Sequence, residues 1–253
     1  MKREEFLGCP VDSLTTTEAL SEIDKYIARR TPHRITPINA SKLCQVDSNR
    51  RLAEIIRKSD MVIPEYAVVW GANRLKIKLA EHIGGIMLMR KILEYAPPRG
   101  YSVYFLGAQP GVVNEMVSRI RNSYPGLKIA GFHHGYFSID DELTVIDDIK
   151  VSKPDVLLVA MGTPKQEAWI DDHIGELGVP VIMGVGGSFD VFAGLKRETP
   201  PYLRCGFEWL YRLAQEPTRL WKRYMTTNSK FLWKIAKAWL GLIHNNGNGR
   251  KSK

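Results

Sequence analysis

Three turns rich in glycine and proline follow short apolar runs, and turns of this kind can bind phosphate groups. They are Gly107-Ala-Gln-Pro-Gly111, Met161-Gly-Thr-Pro-Lys-Gln-Glu167 and Gly184-Val-Gly-Gly-Ser-Phe-Asp190. Backbone N–H groups in a glycine turn, or in the first turn of a helix, attract anions because they carry partial positive charge. For any one of these turns, an ordinary connection from a strand to a helix is at least as good an interpretation as a phosphate site. Three of them at successive strands favour a nucleotide site.

The elements that position these turns are short apolar runs separated by helical patterns. The runs are Ile35–Ala40, Met61–Ile63, Tyr101–Leu106, Lys128–Phe132, Val156–Ala160 and Val179–Met183. Helical patterns such as Val112–Ser123 and Lys165–Glu176 lie between them. Thr15 and Glu18 form a capping box before a helix that runs towards Arg30. Buried strands that alternate with helices predict an α/β fold with a Rossmann-like, mainly parallel sheet and helices on both faces. Ligands of such sheets bind beyond the carboxyl ends of the strands.

The positive charge of the chain is concentrated near its carboxyl end. Of the 36 Lys and Arg residues, eleven lie in Arg204–Lys253, where only Glu208 and Glu216 oppose them. The net charge of +9 therefore belongs to this segment, and residues 1–203 are neutral. The same segment contains four of the six Trp residues. We predict a Rossmann-like domain over residues 1–203 and a basic, Trp-rich helical appendage over residues 204–253.

The helical pattern at residues 228–243 combines basic and apolar side chains on neighbouring stripes. One stripe contains Lys230, Lys234 and Lys237, and the other contains Phe231, Ile235, Trp239 and Leu242. This combination is typical of an amphipathic helix on an anionic membrane surface. The alternative is a terminal helix that packs on the core or on a second copy of the chain. Because the sequence has no run of about 18 apolar residues, we expect peripheral contact with a membrane and no spanning helix.

Other classes of protein fit the sequence less well. Three scattered Cys residues and a polar amino terminus favour the cytoplasm over a secreted, disulfide-bonded protein. His133 and His134 would point to opposite faces of a strand, and no carboxylate or Cys pattern beside them completes a metal site. Gly184–Asp190 does not match the G-x-G-x-x-G motif of dinucleotide-binding proteins, and a Walker A loop is absent. The neutral residues 1–203 show no nucleic-acid-binding module, so no nucleic-acid partner is expected.

Five motifs that occur in order along the chain together resemble those of the WecG/TagA/CpsF glycosyltransferases. They are Phe105–Gly111, His133–Phe137, Gly162–Glu167, Gly184–Asp190 and Glu208–Leu213, and Glu216–Arg219 and Arg223-Tyr224 follow them. The resemblance covers residues 5–225. It implies an inverting enzyme of bacterial surface-polymer synthesis that uses a UDP-sugar as co-substrate and needs no cofactor or metal. Its members transfer, for example, N-acetylmannosamine to a polyprenyl-diphosphate-linked sugar.

The resemblance also implies which residues contact the nucleotide. The UDP pocket would be lined by Gly107, Gln109, Gly111, Tyr136, Gln166, Gly186, Gly187, Ser188 and Asp190. The diphosphate would be approached by Arg212, Arg219, Lys222 and Arg223 of the C-terminal segment. Arg can bind a diphosphate through two parallel hydrogen bonds, which Lys cannot. Arg219 is the one that we assign first to stabilising the departing UDP, and a solvated helix face is the alternative for each of the four.

The catalytic half of the family pattern is altered in this chain. Asn39 is kept, but Pro37 stands at a threonine position and Glu65 stands where the family has the proposed base Asp. His82 replaces an Arg, and Met87 replaces an Asp. We predict from these changes that the nucleotide is shared with the N-acetylmannosamine enzymes, and that the sugar or the acceptor differs.

Inverting transfer needs a base that takes the proton of the acceptor hydroxyl. With the resemblance, Glu65 is assigned as that base, and its alternative role is a carboxylate at the start of a helix. His82 is the second candidate, because a reference pKa of about 6.5 suits proton transfer near neutrality.

The sequence therefore predicts a UDP-sugar-dependent glycosyltransferase that acts on a polyprenyl-diphosphate-linked acceptor. Its place would be the cytoplasm, peripheral on the inner face of a bacterial plasma membrane. The alternative is a non-catalytic, UDP-sugar-binding regulator or scaffold at the membrane. The donor sugar, the acceptor sugar, the polymer and a homo-oligomeric state stay open.

Overall fold

The computed structural model describes residues 1–197, 199–200, 208–215 and 217–242. Its strands are β1 (Lys2–Phe6), β2 (Cys9–Ser13), β3 (His33–Ile38), β4 (Met61–Pro64), β5 (Ser102–Gly107), β6 (Lys128–His133), β7 (Val156–Ala160) and β8 (Val181–Gly184). The predicted boundary between residues 203 and 204 lies outside the described residues.

The helices follow the strands in near alternation. They are α1 (Thr16–Arg29), α2 (Ala40–Gln45), α3 (Arg50–Lys58), α4 (Tyr66–Arg74), α5 (Gly85–Tyr95), α6 (Pro110–Ser123), α7 (Ile139–Ser152), α8 (Lys165–Leu177), α9 (Ser188–Phe192), α10 (Glu208–Gln215) and α11 (Pro217–Trp239). A 3-10 turn occupies Pro97–Arg99. The predicted capping box is confirmed, because Thr15 Oγ1 accepts from the Glu18 N–H while Glu18 Oε2 accepts from the Thr15 N–H.

Six parallel strands of the described chain form one sheet in the order β4-β3-β8-β7-β5-β6. Successive side chains of a strand point to opposite faces of the sheet. In β5, Val103 and Phe105 join the cluster under α1, α5 and α6, whereas Tyr104 and Leu106 join the cluster under α7 and α8. Both faces are therefore covered by helices. This explains why the sequences of the strands are continuous apolar runs. The predicted Rossmann-like parallel sheet is confirmed.

An antiparallel hairpin of β1 and β2, which the sequence analysis did not predict, closes one side of the molecule. Asp12 of β2 is fully buried. Its carboxylate accepts two 2.8 Å hydrogen bonds from the Arg3 guanidinium and one of 2.7 Å from the backbone N–H of Val62 in β4. Arg3 also donates to the carbonyl oxygen of Ser59 at 3.0 Å. This interaction attaches the hairpin to the edge strand of the sheet.

The last helix, α11, packs on the first part of the chain through two apolar side chains. Phe231 and Ile235 are buried in a cluster that includes Phe6. A Cβ added to Gly71 of α4 would lie only 2.7 Å from Ile235 Cδ1, so a larger residue there would displace that side chain. The expectation that Phe231 and Ile235 face lipid is wrong, because the core covers them, while Trp239 of the same predicted stripe stays exposed. Among the described helices, none combines the length and apolar composition needed to cross a bilayer.

We expect Asp12→Ala to lower the free energy of unfolding by about 2–4 kcal/mol. The substitution leaves the Val62 N–H and the Arg3 guanidinium without their carboxylate partner. The matched control is Glu54→Ala, which removes a carboxylate from the exposed Arg50–Glu54 pair and should cost less than about 0.5 kcal/mol. Urea denaturation followed by circular dichroism measures both, and equal losses would contradict the role of Asp12.

Candidate functional site

A cleft of about 1150 Å³ lies at the carboxyl edge of the sheet. Its position follows from the strand order. The chain leaves β5 through α6 towards β6 on one side, and it leaves β7 through α8 towards β8 on the other side. The loops therefore diverge between the two neighbouring strands β5 and β7, and a crevice opens where they part.

Ten of the predicted site residues line this cleft. They are Asn39, Glu65, His82, Gln109, Tyr136, Gln166, Gly186, Gly187, Ser188 and Asp190. Pro37 and Met87, which depart from the family pattern, line it too. For Arg212, Arg219, Lys222 and Arg223, the side chains lie outside what the structure describes. The structure thus brings together residues that the sequence scatters over seven segments, and their roles toward a ligand stay predictions.

Gly107 and Gly111 are described residues that do not line the cleft. Gly107 has a positive φ of 137°, and a Cβ there would lie 2.4 Å from the carbonyl oxygen of Ala160. Its glycine is therefore required for the close approach of β5 to β7. A Cβ on Gly111 would meet open space, so packing does not explain that glycine.

Gln166 fixes the turn that follows β8. Its side chain is 1% exposed, and its Oε1 accepts a 3.1 Å hydrogen bond from the Gly186 N–H. Its Nε2 donates to Glu167 Oε1 at 2.8 Å. A Cβ on Gly184 would lie 2.7 Å from Gln166 Nε2, so the amide packs flat against the end of β8.

The charge of the cleft suits an anionic ligand. Among its described lining residues, the basic ones are Lys42, Lys165, Lys196, Arg197 and Lys230, and the acidic ones are Glu65 and Asp190. Lys165 donates to the carbonyl oxygen of Gly135 at 3.3 Å, and Lys196 forms an ion pair with Asp190. A concave site with an excess of one sign of charge attracts ligands of the opposite sign.

On the opposite side, Glu65 and Asn39 meet at the ends of two neighbouring strands. Asn39 caps α2, where its Oδ1 accepts from the Lys42 N–H at 3.0 Å, and its Nδ2 donates to Glu65 Oε1 at 3.4 Å. Glu65 follows β4, and its backbone N–H donates to the Ile38 carbonyl oxygen at 2.9 Å. The Glu65 side chain is not used to cap α4 in the described structure. Its half-buried carboxylate lines the cleft instead.

The loop that carries His82 lies against the same carboxylate. The Ile83 N–H donates to the Pro64 carbonyl oxygen at 2.7 Å, and a Cβ on Gly84 would lie 3.9 Å from Glu65 Cγ. The His82 ring meets the Tyr66 ring edge-on, with 5.6 Å between the ring centroids. The structure therefore places both candidate bases on one side of the cleft.

Sequence reasoning assigned no role in the site to several residues that build it. Lys42 and Glu167 form a buried ion pair with 2.8 Å between Nζ and Oε1. Thr226, Thr227 and Lys230 of α11 line the cleft. The sequence contains only weak signals for Lys42 and Glu167. Lys42 stands one helical turn after Asn39, and Glu167 is the last residue of the Gly162–Glu167 motif.

The described residues contain no group of three His, Cys, Asp or Glu side chains placed to hold a metal ion. His133 Nδ1 contacts the carbonyl oxygen of the next residue, His134, at 2.8 Å. Independence of a metal stays an expectation for this chain.

Comparison with known proteins identifies the family. The model of the glycosyl transferase WecG/TagA/CpsF family matches residues 4–245. A Staphylococcus aureus (strain MW2) protein is 35% identical over 240 residues, which cover 92% of each chain. The proteins of strains NCTC 8325 and MRSA252 are 35% and 34% identical over the same share. All three are named N-acetylglucosaminyldiphosphoundecaprenol N-acetyl-beta-D-mannosaminyltransferase. The chain is therefore a member of the WecG/TagA/CpsF family of glycosyltransferases.

Proposed function

We propose that the chain transfers a sugar, with inversion, from a UDP-sugar to a polyprenyl-diphosphate-linked sugar in the synthesis of a cell-surface polysaccharide or a teichoic-acid-type polymer. The observation that carries this proposal is the arrangement of the cleft. A carboxylate oriented by Asn39 stands on one side, and the glycine turn held by Gln166 lies on the other. The Staphylococcus aureus relatives are named for a diphosphoundecaprenol acceptor, which supports the acceptor class.

UDP is the donor nucleotide that the cleft supports best. The glycine turn after β8 and the amino end of α8 present backbone N–H groups, and lysines predominate over carboxylates around them. Both features favour a diphosphate. Asp190 and the exposed ring of Tyr136 line the cleft and are suited to contacts with the ribose and the base.

The proposed reaction uses Glu65 as general base. The acceptor hydroxyl attacks the anomeric carbon of the donor sugar while Glu65 takes its proton, and the bond from that carbon to the UDP oxygen breaks on the opposite face. UDP leaves with the bonding electron pair, and its charge is stabilised by N–H groups and cations of the cleft. Asn39 keeps one Glu65 oxygen directed along its hydrogen bond. The extra methylene of Glu relative to Asp moves the carboxylate further from the end of β4.

The sugar specificity is proposed to differ from that of the N-acetylmannosamine enzymes. His82 and Met87 line the cleft near Glu65 at positions where the family pattern has Arg and Asp. A methionine cannot accept a hydrogen bond from a sugar hydroxyl as strongly as a carboxylate does. A change of charge and polarity at two positions of one wall alters which sugar hydroxyls can be bound.

We further propose that the chain binds an anionic membrane surface through the outer side of α11. Trp221, Met225, Leu232 and Trp239 are each at least half exposed, and spacings of four and seven residues place them on one side of the helix. The basic Lys237 stacks on Trp233 at 5.2 Å from the ring centroid. Other residues of this helix reach the core and the cleft, so lipid contact would bring the cleft to a lipid-linked acceptor.

Glu65→Gln is expected to lower the rate of sugar transfer by about 10²–10⁴-fold and to leave UDP binding unchanged, because the amide cannot take a proton. The assay uses a panel of UDP-sugars (glucose, galactose, N-acetylglucosamine, N-acetylmannosamine and its uronic acid) with polyprenyl-diphosphate-sugar acceptors. His82→Gln is the comparison variant, and UDP affinity is measured by calorimetry.

Full transfer by Glu65→Gln would remove Glu65 as the base, and a loss confined to His82→Gln would move the role to that residue. A wild-type protein that binds UDP without transfer to any acceptor would contradict the proposed reaction and support the scaffold alternative.

Replacement of Trp221, Leu232 and Trp239 by Gln is expected to weaken binding to vesicles that contain phosphatidylglycerol by at least about tenfold, because apolar surface that would be buried in lipid is lost. The control replaces Leu143 and Val151, which are exposed apolar residues of α7, by Gln. Vesicle sedimentation at low and high salt measures both. Unchanged binding of the triple variant would contradict the proposed surface, and a simultaneous change in oligomeric state would indicate contact between copies.

A further inference from the structure

We propose that Lys42 and Glu167 are a positioning pair that holds the two sides of the cleft in one catalytic geometry. The inference rests on the proposed function, because it concerns the transfer that this cleft would perform. It gives a role to Lys42, which lines the cleft, and to Glu167, which binds the lining residues Thr163 and Gln166.

The pair is buried and tightly bonded. The side chains of Lys42 and Glu167 are 5% and 4% exposed, and 2.8 Å separates Nζ from Oε1. Lys42 Nζ also donates to the Pro37 carbonyl oxygen at 2.7 Å. The same Glu167 oxygen accepts hydrogen bonds from Thr163 Oγ1 at 3.2 Å and from Gln166 Nε2 at 2.8 Å.

These bonds connect the base side to the donor side. Lys42 stands in the first turn of α2, the helix that is capped by Asn39, and Asn39 contacts Glu65. Glu167 stands in the first turn of α8 beside Gln166, which binds the Gly186 N–H. The connected loops follow β3, β7 and β8, which are consecutive in the sheet. Movement of either loop therefore requires that the pair break.

The energetics of the pair indicate that its role is to orient neighbouring groups and not to stabilise the fold. Removing two charges from water costs about as much as their attraction returns, so an apolar pair of the same volume would serve the core equally well. Moreover, Glu167 Oε2 is buried and accepts no hydrogen bond from any described group. A buried carboxylate with one oxygen that accepts no hydrogen bond adds little stability. We therefore attribute its presence beside the cleft to the groups that it positions.

What it positions is the amide of Gln166. An ionised carboxylate only accepts hydrogen bonds, so Gln166 must present Nε2 to Glu167 and Oε1 to the Gly186 N–H. Burial by itself would raise the pKa of Glu167, but the charge of the Lys42 ammonium, together with hydrogen bonds from Lys42, Gln166 and the backbone, holds this pKa below its usual range. The carboxylate therefore stays ionised at neutral pH, and Lys42 cancels its charge near the anionic substrate.

The other groups around Glu167 do not replace Lys42. Thr163 and Gln166, its remaining hydrogen-bond donors, are neutral. In the described structure, the further ion pairs of α8 are those of Asp171 with Arg34, Asp172 with Arg51, and His173 with Glu142 and Glu176. They begin one helical turn beyond Glu167, and none of them includes Glu167 or Lys42. Loss of the Lys42 ammonium should therefore act directly on the ionisation of Glu167.

The test compares Lys42→Met with the double variant Lys42→Met/Glu167→Gln. In the single variant, the pKa of Glu167 rises, and the carboxylate ionises without compensation as the pH increases. Between about pH 6 and pH 8, the UDP affinity of the single variant should therefore fall. This fall should be about tenfold larger than the fall measured for the wild type over the same range. The double variant should lose this extra pH dependence, because Gln has no charge. Calorimetry with UDP measures these affinities.

The second readout separates positioning from folding. The double variant should unfold at about the wild-type temperature, because no buried charge is left alone. Sugar transfer by the double variant should still be at least about tenfold slower than in the wild type. The amide introduced at position 167 can either donate to or accept from Gln166, so it no longer fixes the orientation of the Gln166 amide. Arg51→Met, which removes the α3 cation of the exposed ion pair with Asp172 of α8, is the matched control and should change neither readout.

Wild-type pH dependence of UDP binding in Lys42→Met, or wild-type transfer by the double variant, would overturn the inference. A wild-type protein that binds UDP but transfers no sugar contradicts the proposed reaction alone, because the pH dependence of binding still tests the pair. A wild-type protein that does not bind UDP contradicts both.

Discussion

The site depends on the parallel alignment of the central sheet. Because all six strands run in one direction, their carboxyl ends share one edge, and every loop that leaves this edge begins at a fixed spacing from its neighbour. Main-chain hydrogen bonds between buried strands keep these starting points in place, while each loop can vary in sequence. Asn39, Glu65 and Gln166 come from three such loops and meet because of this alignment.

The two sides of the cleft differ in the backbone groups and side chains that they present. The side that carries the turn after β8 presents backbone groups, such as the Gly186 N–H that Gln166 binds, and a backbone N–H is the same whichever side chain its residue carries. The opposite side consists of side chains, including Glu65, His82 and Met87. A single substitution there changes charge, length or hydrogen bonding. The departures at Glu65, His82 and Met87 are all side chains that line the cleft.

The sequence predicted the elements that rest on local patterns and missed those that rest on distant contacts. Apolar runs such as Val156–Ala160 became strands, and the three glycine turns reached one edge. The charged strand Lys2–Phe6 was not predicted, because Arg3 binds Asp12, and Asp12 in turn binds Val62 of the edge strand β4, a contact that no local pattern reveals. Periodicity placed Phe231 and Ile235 on one stripe but could not show that the core covers it. The bond between Lys42 and Glu167 joins segments far apart in the chain.

The meeting of the two ends of the chain has a consequence for its biosynthesis. Phe6 belongs to the first strand, and Phe231 and Ile235, which close over Gly71 beside it, belong to the last described helix. At about 5–20 residues per second, a ribosome releases these partners roughly tens of seconds apart. During that interval the nascent sheet carries an uncovered apolar surface, and the cleft lacks the wall that Thr226, Thr227 and Lys230 provide. The cleft can therefore be completed only after α11 has been translated.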